Sequence, residues 1–129
     1  MLLAHPAWTQ VTLVHRREAP LPPNLPPDHA AKLRQVIVDL DMLAQQHEAF
    51  AGADAVFCAL GTTRKAAGSA AAFKKVDLEY VSAGAQAAAA AGVRLFSLVS
   101  AQGANARVWA SDAAPFHALL YTQTKGKVC

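Results

Sequence analysis

The chain has 129 residues, 53% of them hydrophobic and 16% charged, which argues for one soluble globular domain and against disorder. Its net charge of +3 is spread without a dense basic block or interleaved aromatic residues, a pattern that excludes nucleic acid as the expected partner. Cys58 and Cys129 are its only cysteines, too few for a disulfide framework or a zinc quartet, so reduced thiols in the cytoplasm are expected. The longest mostly apolar stretch, Ala83 to Val93, falls well short of the about 20 residues that span a bilayer. The opening MLLAHPAW has neither the basic region nor the apolar length of a secretory signal.

In chain order, Val11 to Val14 is a short β-branched and aliphatic run ended by HRR, and Gln35 to Leu40 (QVIVDL) is another; both predict buried parallel strands. Between them, residues 18–30 hold five of the seven prolines, and a loop is expected where N–H donors are so often missing. Met42 to Phe50 predicts a short helix. Asp54 to Leu60 (DAVFCAL) predicts a third strand, stopping at Gly61 and Thr62 before the polar loop GTTRKAAGS. Phe73 to Ala91 predicts a long alanine-rich helix closed by Gly92 as a left-handed C-cap. Val93 to Val99 predicts a fourth strand ending at Ser100, and a last helix is expected from Ala114 onward.

This alternation predicts an α/β fold, a parallel sheet with helices on its faces, in one domain covering residues 1–129. Ligands of such sheets bind beyond the carboxyl ends of the strands, which here carry Arg16 and Arg17, Asp39, Gly61 with Thr62 and Thr63, and Ser100. No G-x-G-x-x-G occurs, and GTTRKAAGS lacks the lysine of a Walker turn. Arg16 and Arg17 stand where an acid would select the free ribose of NAD, and their charge suits the 2′-phosphate of NADP, although solvated arginines also follow strands. Tyr121 and Lys125 are four apart, one helical turn. There the ammonium can ready the phenol to give its proton to a carbonyl that Ser100 would polarise. On composition alone such a Y-x-x-x-K arises by chance about one time in ten. His5, His15, His29, His47 and His117 share no ligand spacing, and no metal site is expected.

Taken in order, VTLVHRR, VIVDLD, FAGADAVFCALGTTRKAAG, FKKVDLEYVSAGAQAAAAAGV, LFSLVSAQGAN and LLYTQTKGKV resemble the Tat-interacting-protein family of atypical short-chain dehydrogenases/reductases. CALGTTRKAAG followed by FKKVDLEYV is the most specific stretch, and fungal mitochondrial proteins are similar too. The resemblance implies a doubly wound, Rossmann-like NADP-binding fold and carbonyl reduction by Ser100, Tyr121 and Lys125. It implies that Arg16 and Arg17 lie near the adenosine phosphate, Asp39 after its strand, and Leu60, Gly61 and Thr62 beneath the nicotinamide side. Importin-type partners, nuclear import and growth regulation are implied as well, so nuclear and mitochondrial locations stand beside the cytoplasmic one.

Three departures qualify these expectations. The family's first strand and glycine-rich turn do not precede MLLAHPAW, the Ser100 to Tyr121 spacing is longer, with ARVWASDAAP as an insertion, and the substrate half is missing. An incomplete doubly wound sheet is therefore expected, the middle of a family member, with NADP binding weakened or lost and weak or absent catalysis. Its unpaired sheet edges would favour self-association. The alternative is a non-catalytic protein-interaction module of the same family. A proline-loop module using PLPPNLPP is a third reading.

Overall fold

In the computed structural model, which describes residues 2–110 and 117–128, the chain forms two compact units, Met1–Met42 and Leu43–Cys129. Each holds one two-stranded parallel sheet; the parallel pairing is the one the sequence predicts, whereas the single sheet expected is here two separate pairs. In the first unit, β1 (Val11–His15) pairs with β2 (Leu33–Ile37) in the register Val11↔Leu33 to His15↔Ile37. A parallel pair needs a crossover of a dozen residues or more, and the proline-rich segment supplies it.

That crossover is not loop throughout. Helix α1 (Pro27–Lys32) occupies its end, contrary to the expectation of a loop over residues 18–30. Pro27 sits in the first turn, where the N–H that proline lacks would have had no intrahelical partner and its fixed φ already suits a helix. The second strand also lies earlier than predicted. Asp39 Oδ1 accepts the Asp41 N–H at 2.9 Å, an Asx turn that stops the strand short of Leu40. The single helix expected over Met42 to Phe50 is instead two 3₁₀ turns, Leu40–Gln45 and His47–Phe50, separated by Gln46 at φ −96°, ψ 44°.

In the second unit, β3 (Ala55–Cys58) pairs with β4 (Leu95–Leu98), Ala55 opposite Leu95 and Cys58 opposite Leu98. The crossover begins with α2 (Arg64–Ala67), capped by Thr63 Oγ1 accepting the Ala66 N–H at 3.1 Å and ended by Gly68 at φ 82°. Helix α3 (Ala70–Lys74), a π-helical turn (Lys75–Tyr80) and α4 (Val81–Ala90) then run on without a break. At the far end Gly92 takes φ 80°, its N–H donating to Ala89 O and that of Val93 to Ala88 O. These two bonds make a Schellman motif, the C-cap the sequence predicts at Gly92.

The stripe Phe73, Asp77, Val81, Ala88 along this run is buried, and Leu120 and Thr124 of α5 (His117–Val128) are buried with it. Of the expected start at Ala114, and of the proposed insertion, residues 111–116 lie outside the described residues, as does Cys129. Phe96 and Leu98 line one pocket with Val81, Ser82, Ala85 and Val128. No helix among the described residues is long and apolar enough to cross a membrane.

Ser69 opens the long helical run, its Oγ accepting the Ala72 N–H at 3.0 Å. Ser69→Ala is expected to cost about 1 kcal/mol, read as a lower urea midpoint with an unchanged slope.

Candidate functional site

Asp77 is fully buried and Lys125 is 5% exposed. The Lys125 Nζ lies 2.6 Å from Asp77 Oδ1, while Asp77 Oδ2 accepts the Thr62 N–H at 2.8 Å. Among the described residues Oδ1 has no partner besides this ammonium. Three elements thus meet at one carboxylate: the π turn that carries Asp77, the turn after β3, and α5.

Gly61 completes the contact by having no side chain. A Cβ at that position would stand 3.2 Å from both Asp77 Oδ1 and Lys125 Nζ, tighter than ordinary van der Waals contact. The Leu60–Gly61–Thr62 turn therefore lies directly on the ion pair, and the Thr62 amide is committed to Asp77 rather than open to a ligand.

Tyr121 stands one turn before Lys125 on α5, as expected, and is 39% exposed. Its ring centroid is 6.0 Å from that of the buried Phe73, at an interplanar angle of 35°, and the Lys125 ammonium lies 5.9 Å from it, within cation–π range. A phenol on the surface thus has its ring backed by a buried aromatic and a buried charge. Ser100 follows β4 by two residues and is exposed.

The remaining predicted residues belong to the first unit. Arg16 and Arg17 directly follow β1, and Asp39 follows β2 by two residues. Because the pair is parallel, all three stand beyond the same end of the sheet, and all are exposed. The buried Nε2 of His15, the last residue of β1, has no hydrogen-bond partner. The two guanidinium groups and the carboxylate at this end of the sheet could hold a phosphate and a hydroxyl. Among the described residues no cluster of His, Cys, Asp and Glu could hold a metal ion.

Asp77 is the residue that sequence reasoning missed. A signal was present: in FKKVDLEYV an acid sits four residues after Phe73 and four before Val81, on the apolar stripe where an unpaired charge is rarely buried.

A family model described as NAD(P)H-binding matches residues 1–127. Protein HTATIP2 of Rattus norvegicus is 35% identical over 127 residues, 98% of this chain and 47% of that protein. Protein FMP52-1, mitochondrial, of Scheffersomyces stipitis is 49% identical over 74 residues, 57% of this chain and 29% of that protein. Protein FMP52, mitochondrial, of Lodderomyces elongisporus is 43% identical over 74 residues, covering 27% of its length. The chain thus spans about half or less of the length of these relatives.

Proposed function

The chain belongs to the NAD(P)H-binding family, and from that premise we propose that it is an NADP-binding unit of the atypical short-chain dehydrogenase/reductase class. In this reading its chemistry is carbonyl reduction. The carrying observation is the Asp77–Lys125 pair under the Leu60–Thr62 turn, with the exposed Tyr121 one turn before Lys125 on α5.

Arg16 and Arg17 hold the adenosine phosphate through charge-assisted hydrogen bonds, and Asp39 accepts from a hydroxyl of the nucleoside. The nicotinamide, when bound, supplies a hydride. Tyr121 gives its phenolic proton to the carbonyl oxygen and the Ser100 hydroxyl donates a hydrogen bond to that same oxygen. Lys125 acts from below the ring, as a charge held in place by Asp77.

NADPH should raise the thermal midpoint of the chain more than NADH at equal concentration. Arg16→Ala combined with Arg17→Ala should weaken NADPH binding about 10- to 100-fold, from the loss of hydrogen bonds to a charged group, and leave NADH binding unchanged. Equal stabilisation by the two cofactors, or a double variant that binds NADPH normally, would rule out the NADP assignment. Loss of NADPH-dependent carbonyl reduction in Tyr121→Phe, with NADPH binding retained, tests the chemical step.

A further inference from the structure

The segment Arg17-Glu18-Ala19-Pro20-Leu21-Pro22-Pro23 carries a pattern of which the cofactor reading uses Arg17 alone. A cation precedes Pro20 by three residues, and Pro23 follows it by three. Each proline fixes φ near −65°. Ala19, Leu21 and Pro22 each precede a proline and are pushed to extended ψ. Sterics alone therefore hold most torsions from Ala19 to Pro22 in the polyproline II region. That helix has three residues per turn, so a ligand wholly in that form carries Arg17, Pro20 and Pro23 along one edge.

The structure keeps this segment available. Residues Glu18 to Pro22 belong to no helix or strand, and a hydrogen-bonded turn, Leu25 N–H to Pro22 O at 3.1 Å, takes in Pro23 at the end of the segment. The Ala19 N–H donates to Gln35 Oε1 at 3.2 Å, which tethers the segment to β2. Arg17, Pro20, Pro22 and Pro23 are exposed, and Leu21 is 40% exposed. The crossover between β1 and β2 could have buried that leucine and instead presents it beside the prolines.

We propose that Arg17 to Pro23 is a docking ligand for a protein domain with an aromatic-lined groove of the SH3 type. Pro20 and Pro23 lie between aromatic rings of the groove, and Arg17 pairs with an acidic side chain at one end of it. Recognition of this kind exploits a ligand that is already extended, and the tether at Ala19 reduces the ordering that binding must still supply. The position of Arg17, ahead of both prolines, fixes the direction in which the segment lies in the groove. The inference does not rest on cofactor binding.

The test titrates recombinant SH3 domains that bind R-x-x-P-x-x-P peptides against the whole chain by calorimetry. Saturable one-to-one binding is expected, weakened about tenfold or more in Pro20→Ala combined with Pro23→Ala, and separately in Arg17→Glu. Thermal midpoints equal to the parent's show that the variants remain folded. Should the proline variant fail that check, Arg17→Glu against an SH3 domain whose groove acid is changed to alanine gives the same answer: the penalty of the Arg17 change disappears. Absence of binding to the parent chain, or binding that survives both sets of changes, would overturn the proposal.

Discussion

Lys125→Met is expected to destabilise the chain by about 3–5 kcal/mol, the range for removing one partner of a buried ion pair. The cost does not arise from losing an attraction. Asp77 is fully buried and Lys125 nearly so, so the substitution leaves a carboxylate away from water with only the Thr62 amide to stabilise it. Adding Asp77→Leu removes that stranded charge, and apolar replacement of both partners is often close to neutral. Here recovery should be incomplete by about 1–3 kcal/mol, because the Thr62 N–H loses its acceptor. Urea unfolding of the parent, both single variants and the double variant measures this cycle. If Lys125→Met alone lay within 1 kcal/mol of the parent, the pair would be solvated and the site geometry wrong.

The same cycle separates two roles of Lys125. A lysine serving Tyr121 only as a local charge could be lost without harm to folding, because its cation–π contact at 5.9 Å contributes about 0.5–2 kcal/mol. A lysine that fastens α5 to the turn after β3 cannot. The burial and the 2.6 Å contact put Lys125 in the second group.

What the sequence made legible follows from how local each feature is. The strands were found because β-branched runs bounded by turn residues carry their own signature, and Gly92 because a left-handed C-cap demands a residue without Cβ. Tyr121 and Lys125 were found because a helix converts a spacing of four into adjacency. Asp77 was not: its place on the apolar stripe calls for a partner, but the partners Thr62 and Lys125 lie 15 and 48 residues away. The ends of the second strand and the helix over Met42 to Phe50 were misplaced for a related reason. A side chain bonding to nearby backbone, as at Asp39, competes with the ladder and stops it. Helix α1 was missed because proline was read as a breaker when its position in the first turn makes it a starter.

Gly126→Ala provides the second large effect, and its sign is the informative part. Within a helix, alanine is favoured over glycine by about 1 kcal/mol, so α5 taken alone predicts stabilisation. The surroundings predict the reverse. A Cβ on Gly126 would run into the backbone of Asn105 and Ala106, which cannot swing aside as a side-chain tip could. Those residues are fastened where they are: the Asn105 N–H donates to Thr122 O at 3.0 Å, and Gln123 Nε2 donates to Val108 O at 2.8 Å. Glycine thus lets the chain after Ser100 lie flat on the helix that carries Tyr121. Overpacking against such a contact costs about 1–3 kcal/mol, and Gly126→Ala should lower stability by that amount. Lys127→Ala, one residue on and exposed, should change it by less than about 0.5 kcal/mol. A Gly126→Ala chain more stable than the parent would mean that α5 stands free of the Asn105–Val108 segment. The backbone link from the end of β4 to Tyr121 would then be lost.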